Sequence, residues 1–152
     1  MNVATLDSPI GPMSITETDG MITDIGWTES GGARGASAVL DAAVAQLTEY
    51  FAGVRRVFDL PLALQGGELQ RAVCAEMLAI PFGETVTYGD IAKRLGAPAQ
   101  AIGQACGGNR IPVVIPCHRV LGAAGLGGFS ARGGVETKVA LLRHEGAAGL
   151  LI

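Results

Sequence analysis

The sequence predicts an α+β protein: a small β-rich N-terminal lobe with one or two helices, then a mainly helical domain containing a helix-turn-helix. Three observations carry this reading. Short β-type stretches at the start are punctuated by the turn signals "SPIGP" and "TDG". Later segments switch to the 3.6-residue spacing of amphipathic helices. Between two short helical segments, Gly96 and Pro98 supply one helix end and the next helix start.

Taken in order, "NVATLDSPIGPMSITETDGMITDIGW" predicts strands near 2–6, 12–18 and 21–27. "ESGGARGAS" reads as a loop, and Ser37 as the N-cap of a helix over 38–52. Val39, Leu40, Ala43, Val44, Leu47, Tyr50 and Phe51 give that helix one apolar face, and Gly53 stops it. "RVFDLPLAL" adds a further strand near 56–60, and "LQGG" marks the boundary between domains over 1–65 and 66–152. A helix over 68–79 is led by Leu69, Val73, Met77 and Leu78, and "IPFGE" breaks it. Two short helices follow, about 88–95 and from Pro98 to about 106. They form either a DNA-reading helix-turn-helix or a hairpin used only for packing. "GAAGLGGFSARGG", with six glycines in 13 residues, is a loop able to close over a ligand. A last helix over 135–145 carries Val139, Leu141 and Leu142 and ends at Gly146.

The composition narrows the function classes. With 49% hydrophobic and 16% charged residues, the chain can build a core. No run reaches the roughly 18–20 apolar residues of a membrane helix. "MNVATLDSPIGP" lacks a basic segment before an apolar stretch, so a signal peptide is not expected. Cys74, Cys106 and Cys117 are odd in number and lack paired spacing, which points to a reducing cytoplasm and no disulfide framework. His118 and His144 lie far from any CxxC, so no metal and no cofactor are expected. Residues 1–65 hold three basic and eight acidic side chains, net −5, whereas 66–152 hold eight and six, net +2. The second half is the natural partner of a polyanion.

The chemistry centres on "IPCHRV", residues 115–120. A thiolate is the reactive form of cysteine and needs a base or a positive field to exist near neutral pH. Cys74 and Cys106 lie in helix-like apolar stretches and read as inert core thiols. Cys117, between Pro116 and His118 and followed by Arg119, is either a small buried hydrophobe or a nucleophile. Adjacency to His118 does not decide it, because neighbours in an extended segment point opposite ways.

"TVTYGDIAKRLG", "AIGQACGGN", "IPVVIPCHRV", "GGFSARGG" and "ETKVALLRHEG" together resemble the O6-alkylguanine-DNA alkyltransferases over roughly residues 68–147. The resemblance implies a single-turnover repair protein for O6-alkylguanine, and O4-alkylthymine, in DNA. Cys117 would take the alkyl group as a thioether. Glu145, His118 and a water would form the deprotonating relay, Asn109 would brace the site, and Tyr88 would donate its hydroxyl to the departing base. The protein would act as a monomer, presenting its helix-turn-helix to the minor groove of double-stranded DNA. The small residues Ala99, Ala101 and Gly103 suit that close approach. The damaged nucleotide would be rotated out of the stack, with Phe129 lining its pocket and Ser130 contacting it. Arg119 completes the expected DNA-binding set.

Two departures from the family pattern stand out. Gln100 occupies the position of the arginine that fills the gap left by the flipped base, and Phe129 stands where a hydroxylated aromatic is usual. Weaker DNA affinity is the implied consequence. An alkyltransferase-like lesion-binding protein is the competing class, but such proteins lack the reactive cysteine that this chain keeps. A helix-turn-helix regulator is disfavoured by a second helix nearly devoid of base-reading side chains. A Cys-His hydrolase would turn over and would not need DNA.

Overall fold

A computed structural model of the chain describes residues 1–27, 33–123, 125 and 134–147. The chain divides into two compact units, Met1–Leu64 and Gln65–Ile152.

In the first unit, β1 (Asn2–Ser8), β2 (Gly11–Thr18) and β3 (Met21–Trp27) form an antiparallel sheet in the order β1-β2-β3. The β2–β3 hairpin turns through Asp19 and Gly20, at φ 52 and 82. That is the twist a two-residue hairpin needs, and Asp-Gly tolerates it. Met13 and Ile15 of β2 alternate onto the buried face, and a register shift at Thr16/Glu17 lets Ile22 and Ile25 of β3, three residues apart, both be buried. Helix α1 (Ala38–Phe51) supplies Leu40, Ala43, Leu47 and Tyr50 to the core of this unit. Its N-cap is Ser37, whose hydroxyl accepts from the Leu40 N–H at 3.1 Å.

The strand expected near 56–60 does not form. The Asp59 backbone is instead held by the side chain of Gln46, which donates to the Asp59 carbonyl at 3.0 Å and accepts from its N–H at 2.8 Å. Sheet contact comes later, where Ile22 N–H donates to Pro61 and Ala63 N–H to Ile22. Pro61 has no N–H of its own, so the pairing stays an isolated bridge at Leu62.

In the second unit, α2 (Glu68–Leu78) buries Val73, Cys74 and Met77. Leu69 and Leu78, expected to lead its apolar face, are 38% and 43% exposed. The short strand β4 (Val86–Thr87) runs into α3 (Tyr88–Leu95) through a capping box: the Thr87 hydroxyl accepts from Asp90 N–H, and the Asp90 carboxylate accepts from Thr87 N–H. Gly96 ends α3 at φ 64, and Pro98 is the N-cap of α4 (Ala99–Gly107). This is a helix-turn-helix. Gln70 of α2 donates to the Ala105 carbonyl at 2.8 Å and ties α4 in place. A single 3-10 turn, Cys117–Arg119, leads into β5 (Val120–Leu121), which pairs in parallel with β4. Helix α5 (Val135–Glu145) ends at Gly146 in the left-handed region. No helix among the described residues is long and apolar enough to cross a membrane.

Candidate active site

Cys117 opens the 3-10 turn and is 7% exposed. Three elements of the second unit converge on it: the segment after α4, the turn itself, and α5. Asn109, just past α4, accepts from Ile111 N–H at 3.0 Å through its side-chain oxygen. Its side-chain nitrogen donates to the Ile115 carbonyl at 2.8 Å. That carbonyl also receives the Cys117 N–H, at 2.8 Å. One amide thus braces the backbone leading into the cysteine.

Behind the thiol lies a buried polar cluster. His118 is fully buried, and its Nε2 lies 2.7 Å from Glu145 Oε2. A carboxylate oxygen only accepts, so Nε2 carries the proton. Burial holds the imidazole below its ordinary pKa, so His118 is neutral at pH 7 and Nδ1 bears the lone pair. Nδ1 is buried with no hydrogen-bond partner among the described residues. A buried acceptor left open is costly, and this one is the right atom to take a proton.

Glu145 is held from several sides. Arg119 donates to it twice, Nε to Oε1 at 2.9 Å and Nη2 to Oε2 at 3.0 Å, and Gly83 N–H donates to Oε1 at 3.3 Å. The third guanidinium nitrogen, Nη1, donates to the Ile80 carbonyl at 2.6 Å. Arg119 is 6% exposed. This placement does not fit the expected DNA contact: the guanidinium faces inward, engaged with Glu145 and a carbonyl. A charged residue inside the apolar run "IPCHRV" was the available signal for a buried ion pair.

Burial raises the Cys117 thiol pKa, opposed by the Asn109 hydrogen bond and the charge of Lys138. At rest the sulfur is therefore protonated, and reaction requires a base. Cys106 is pushed up to about 12 and Cys74 is also raised, each mainly by burial. All three cysteines are buried and free. The charge of Lys138 reaches Cys106 as well, so what distinguishes Cys117 is the Asn109 hydrogen bond and the adjacent His118–Glu145 pair.

Sequence reasoning missed that lysine. Lys138 of α5 is fully buried, donates to the Val120 carbonyl at 2.7 Å, and lies 5.8 Å from the centre of the Tyr88 ring. Its own pKa is lowered by burial. Tyr88, at the start of α3, is half-buried, and burial raises its phenol pKa. It therefore keeps its proton and remains a hydrogen-bond donor.

On α4, Ala99 and Gln100 are exposed, Ala101 and Gly103 half-buried, and Ile102, Ala105 and Cys106 point inward. Gln104, one turn beyond Gln100, is also exposed and was not anticipated. A side-chain carbon at Gly103 or Gly107 would meet nothing within 4 Å. The outward face is a floor of small residues carrying two amides. Phe129 and Ser130 lie outside the described residues. Among the described residues no group of three acidic, histidine or cysteine side chains is placed to hold a metal ion.

Comparison with known proteins agrees with this architecture. The family described as "6-O-methylguanine DNA methyltransferase, DNA binding domain" matches residues 68–147, and "6-O-methylguanine DNA methyltransferase, ribonuclease-like domain" matches residues 1–64. The methylated-DNA–protein-cysteine methyltransferase of Mycolicibacterium paratuberculosis is 42% identical, across 93% of this chain and 90% of that protein. The crystal structure of Mycobacterium tuberculosis OGT in complex with DNA superposes with a TM-score of 0.84 at 41% identity, covering 95% of this chain and 92% of that one. An O6-methylguanine DNA methyltransferase from Methanococcus jannaschii, 24% identical, shares the fold at a TM-score of 0.66 over 98% of this chain and 96% of that one. With both family domains matched along the chain, this protein belongs to the 6-O-methylguanine DNA methyltransferase family.

Proposed function

We infer that this protein repairs DNA by moving the alkyl group of O6-alkylguanine irreversibly onto its own Cys117. The observation that carries the assignment is the buried His118–Glu145 pair with its open Nδ1, on the residue that follows the protonated Cys117 thiol. Through a water, Nδ1 takes the thiol proton while Nε2–H stays on Glu145. The sulfur then displaces guanine from the alkyl carbon: the S–C bond forms and the C–O6 bond breaks. The electron pair passes to the base, where the Tyr88 hydroxyl hydrogen-bonds the developing negative charge. No base restores the thioether, so each molecule acts once.

Arg119 is a positioning residue in this scheme, fixing Glu145 against His118. Contact with DNA falls to α4. Its small outward residues Ala99, Ala101 and Gly103 suit the minor groove, and Gln100 stands at the base step from which the nucleotide is rotated. By family resemblance Phe129 and Ser130 receive the flipped base. Nothing in this scheme needs a second copy, and three free thiols suit a monomer in the cytoplasm.

Titration with duplex DNA carrying one O6-methylguanine tests the reading. Repair should stop at one lesion per protein chain. Continued turnover at substoichiometric protein would point to a hydrolase, and binding without repair to a lesion sensor.

A further inference from the structure

Among the described residues two non-glycine residues have positive φ: Asp19 at 52 and Val113 at 73. Asp19 sits in a hairpin turn, where aspartate is tolerated. Val113 is different. It is β-branched, so the left-handed region is strongly disfavoured for it, and it is fully buried. Its place in the chain gives the strain a use. Val113 lies inside a turn closed by Ile115 N–H donating to the Ile111 carbonyl at 2.9 Å. Asn109 grips both ends of that turn, Ile111 N–H and the Ile115 carbonyl. The same Ile115 carbonyl receives the Cys117 N–H. Pro116, at φ −81 and ψ 68, makes the intervening tight turn.

A glycine at 113 would adopt this backbone freely. Valine adopts it only because the isopropyl group is anchored in the core, alongside Ile111, Val114 and Ile115, which are all buried. We propose that Val113 is a positioning residue for alkyl transfer: its buried side chain pins a strained turn whose carbonyl sets the backbone of Cys117. The proposal rests on Cys117 being the acceptor. Its logic is that strain is maintained where geometry matters more than stability.

The variants Val113→Gly, Val113→Ala and Val113→Ile test it in the full chain, by three measurements. The first is thermal stability. Glycine normally ranks below alanine, but here Val113→Gly should melt above Val113→Ala, because only glycine escapes the left-handed penalty. The second is the maximum single-turnover transfer rate on O6-methylguanine duplex, which should fall about ten- to a hundred-fold in Val113→Gly and Val113→Ala, as for a misplaced reacting group. Val113→Ile keeps the anchor and should hold most of the rate. The third is affinity for the same duplex, measured in a Cys117→Ser background, which should not change.

Parental transfer rates in Val113→Gly, or a Val113→Ala variant melting above it, would overturn the proposal. If Val113→Gly fails to fold, the alanine and isoleucine variants decide: a slower alanine variant supports the proposal, and equal rates or the reverse order sink it. A parent protein that transfers nothing removes the functional reading instead, while the order of melting temperatures still reports on the strain.

Discussion

Each unit buries a glutamate, and the two are put to different ends. Glu17 in the first unit is 5% exposed and Glu145 in the second is 7% exposed. Neutral donors surround Glu17: the Ser37 hydroxyl, the Asn2 side chain and the Gly20 N–H hold its carboxyl below the usual carboxylate range. These contacts tie the start of β1, the β2–β3 turn and the cap of α1 together. Glu145 meets Arg119 and a histidine with one nitrogen left open. A buried carboxylate alone therefore marks no chemistry. A buried carboxylate that orients a base with a free lone pair does.

The comparison is broken most directly at the sulfur. Cys117→Ser should abolish transfer while duplex binding survives, whereas Cys74→Ser and Cys106→Ser should keep transfer with some loss of stability from buried hydroxyls. Single-turnover repair assays and gel-shift binding measure the two arms. If Cys117→Ser still cleared the lesion, Cys106 would become the candidate acceptor.

Next in size is Glu145→Gln. Transfer near pH 7 should fall roughly a hundred-fold, the usual scale of a lost acid–base partner. The neighbouring carboxylate raises the His118 pKa, so its loss makes the histidine a weaker base. The variant's rate should keep climbing at high pH, where the thiol ionises unaided. Stability should drop too, by about 3–5 kcal/mol, because Arg119 is left as an unpaired buried charge. A pH–rate profile overlaying that of the parent protein would remove the relay.

Gln100→Arg should have a smaller effect in the opposite direction. Extrusion of a nucleotide costs a few kcal/mol, and an arginine can stack in the gap and add charge where glutamine only hydrogen-bonds. Transfer on duplex should quicken several-fold, less on single strands, and the logarithmic salt dependence of binding should steepen by about one unit. Equal gains on both substrates would assign the gap to another residue, and exposed Gln104 is next along the helix.

Glu17→Gln should leave transfer unchanged, the smallest effect of the series. Because the folded-state pKa of Glu17 is depressed, its contribution is complete above the unfolded-state value and lost as pH falls through the folded-state one. The variant should melt lower at neutral pH and respond less to acid below about pH 4, the ordinary carboxylate range. Thermal melts from pH 7 to 3 check this, and a transfer defect in Glu17→Gln would mean the first unit's glutamate is not merely structural.

How much of this was legible beforehand depends on range. Local signals carried the elements: Asp19-Gly20 named a turn, Ser37 a cap, Gly96 and Pro98 the turn between α3 and α4. Periodicity placed Val73 and Met77 on the inward side of α2 and Cys74 read as a core thiol, but it could not fix the edges of that face, so Leu69 and Leu78 also looked like core. The strand near 56–60 failed because a side chain, Gln46, took the backbone bonds that a sheet would have taken. Arg119 and Glu145 stand 26 positions apart in the sequence, and no local pattern pairs them. Lys138 in "VETKVALL" reads as a solvated charge until β5 places the Val120 carbonyl over it. The left-handed backbone at Val113 has no sequence signal at all, since valine is the residue least expected there.

The central claim is that one thiol of three is the acceptor, chosen by its setting and not by its exposure. Peptide mass mapping after incubation with duplex DNA carrying a single O6-methylguanine tests it most directly. The account predicts one methyl group per chain, on the peptide containing Cys117, and none on those containing Cys74 or Cys106. A methyl group on either of the other two, or a repaired lesion with all three cysteines unmodified, would contradict it.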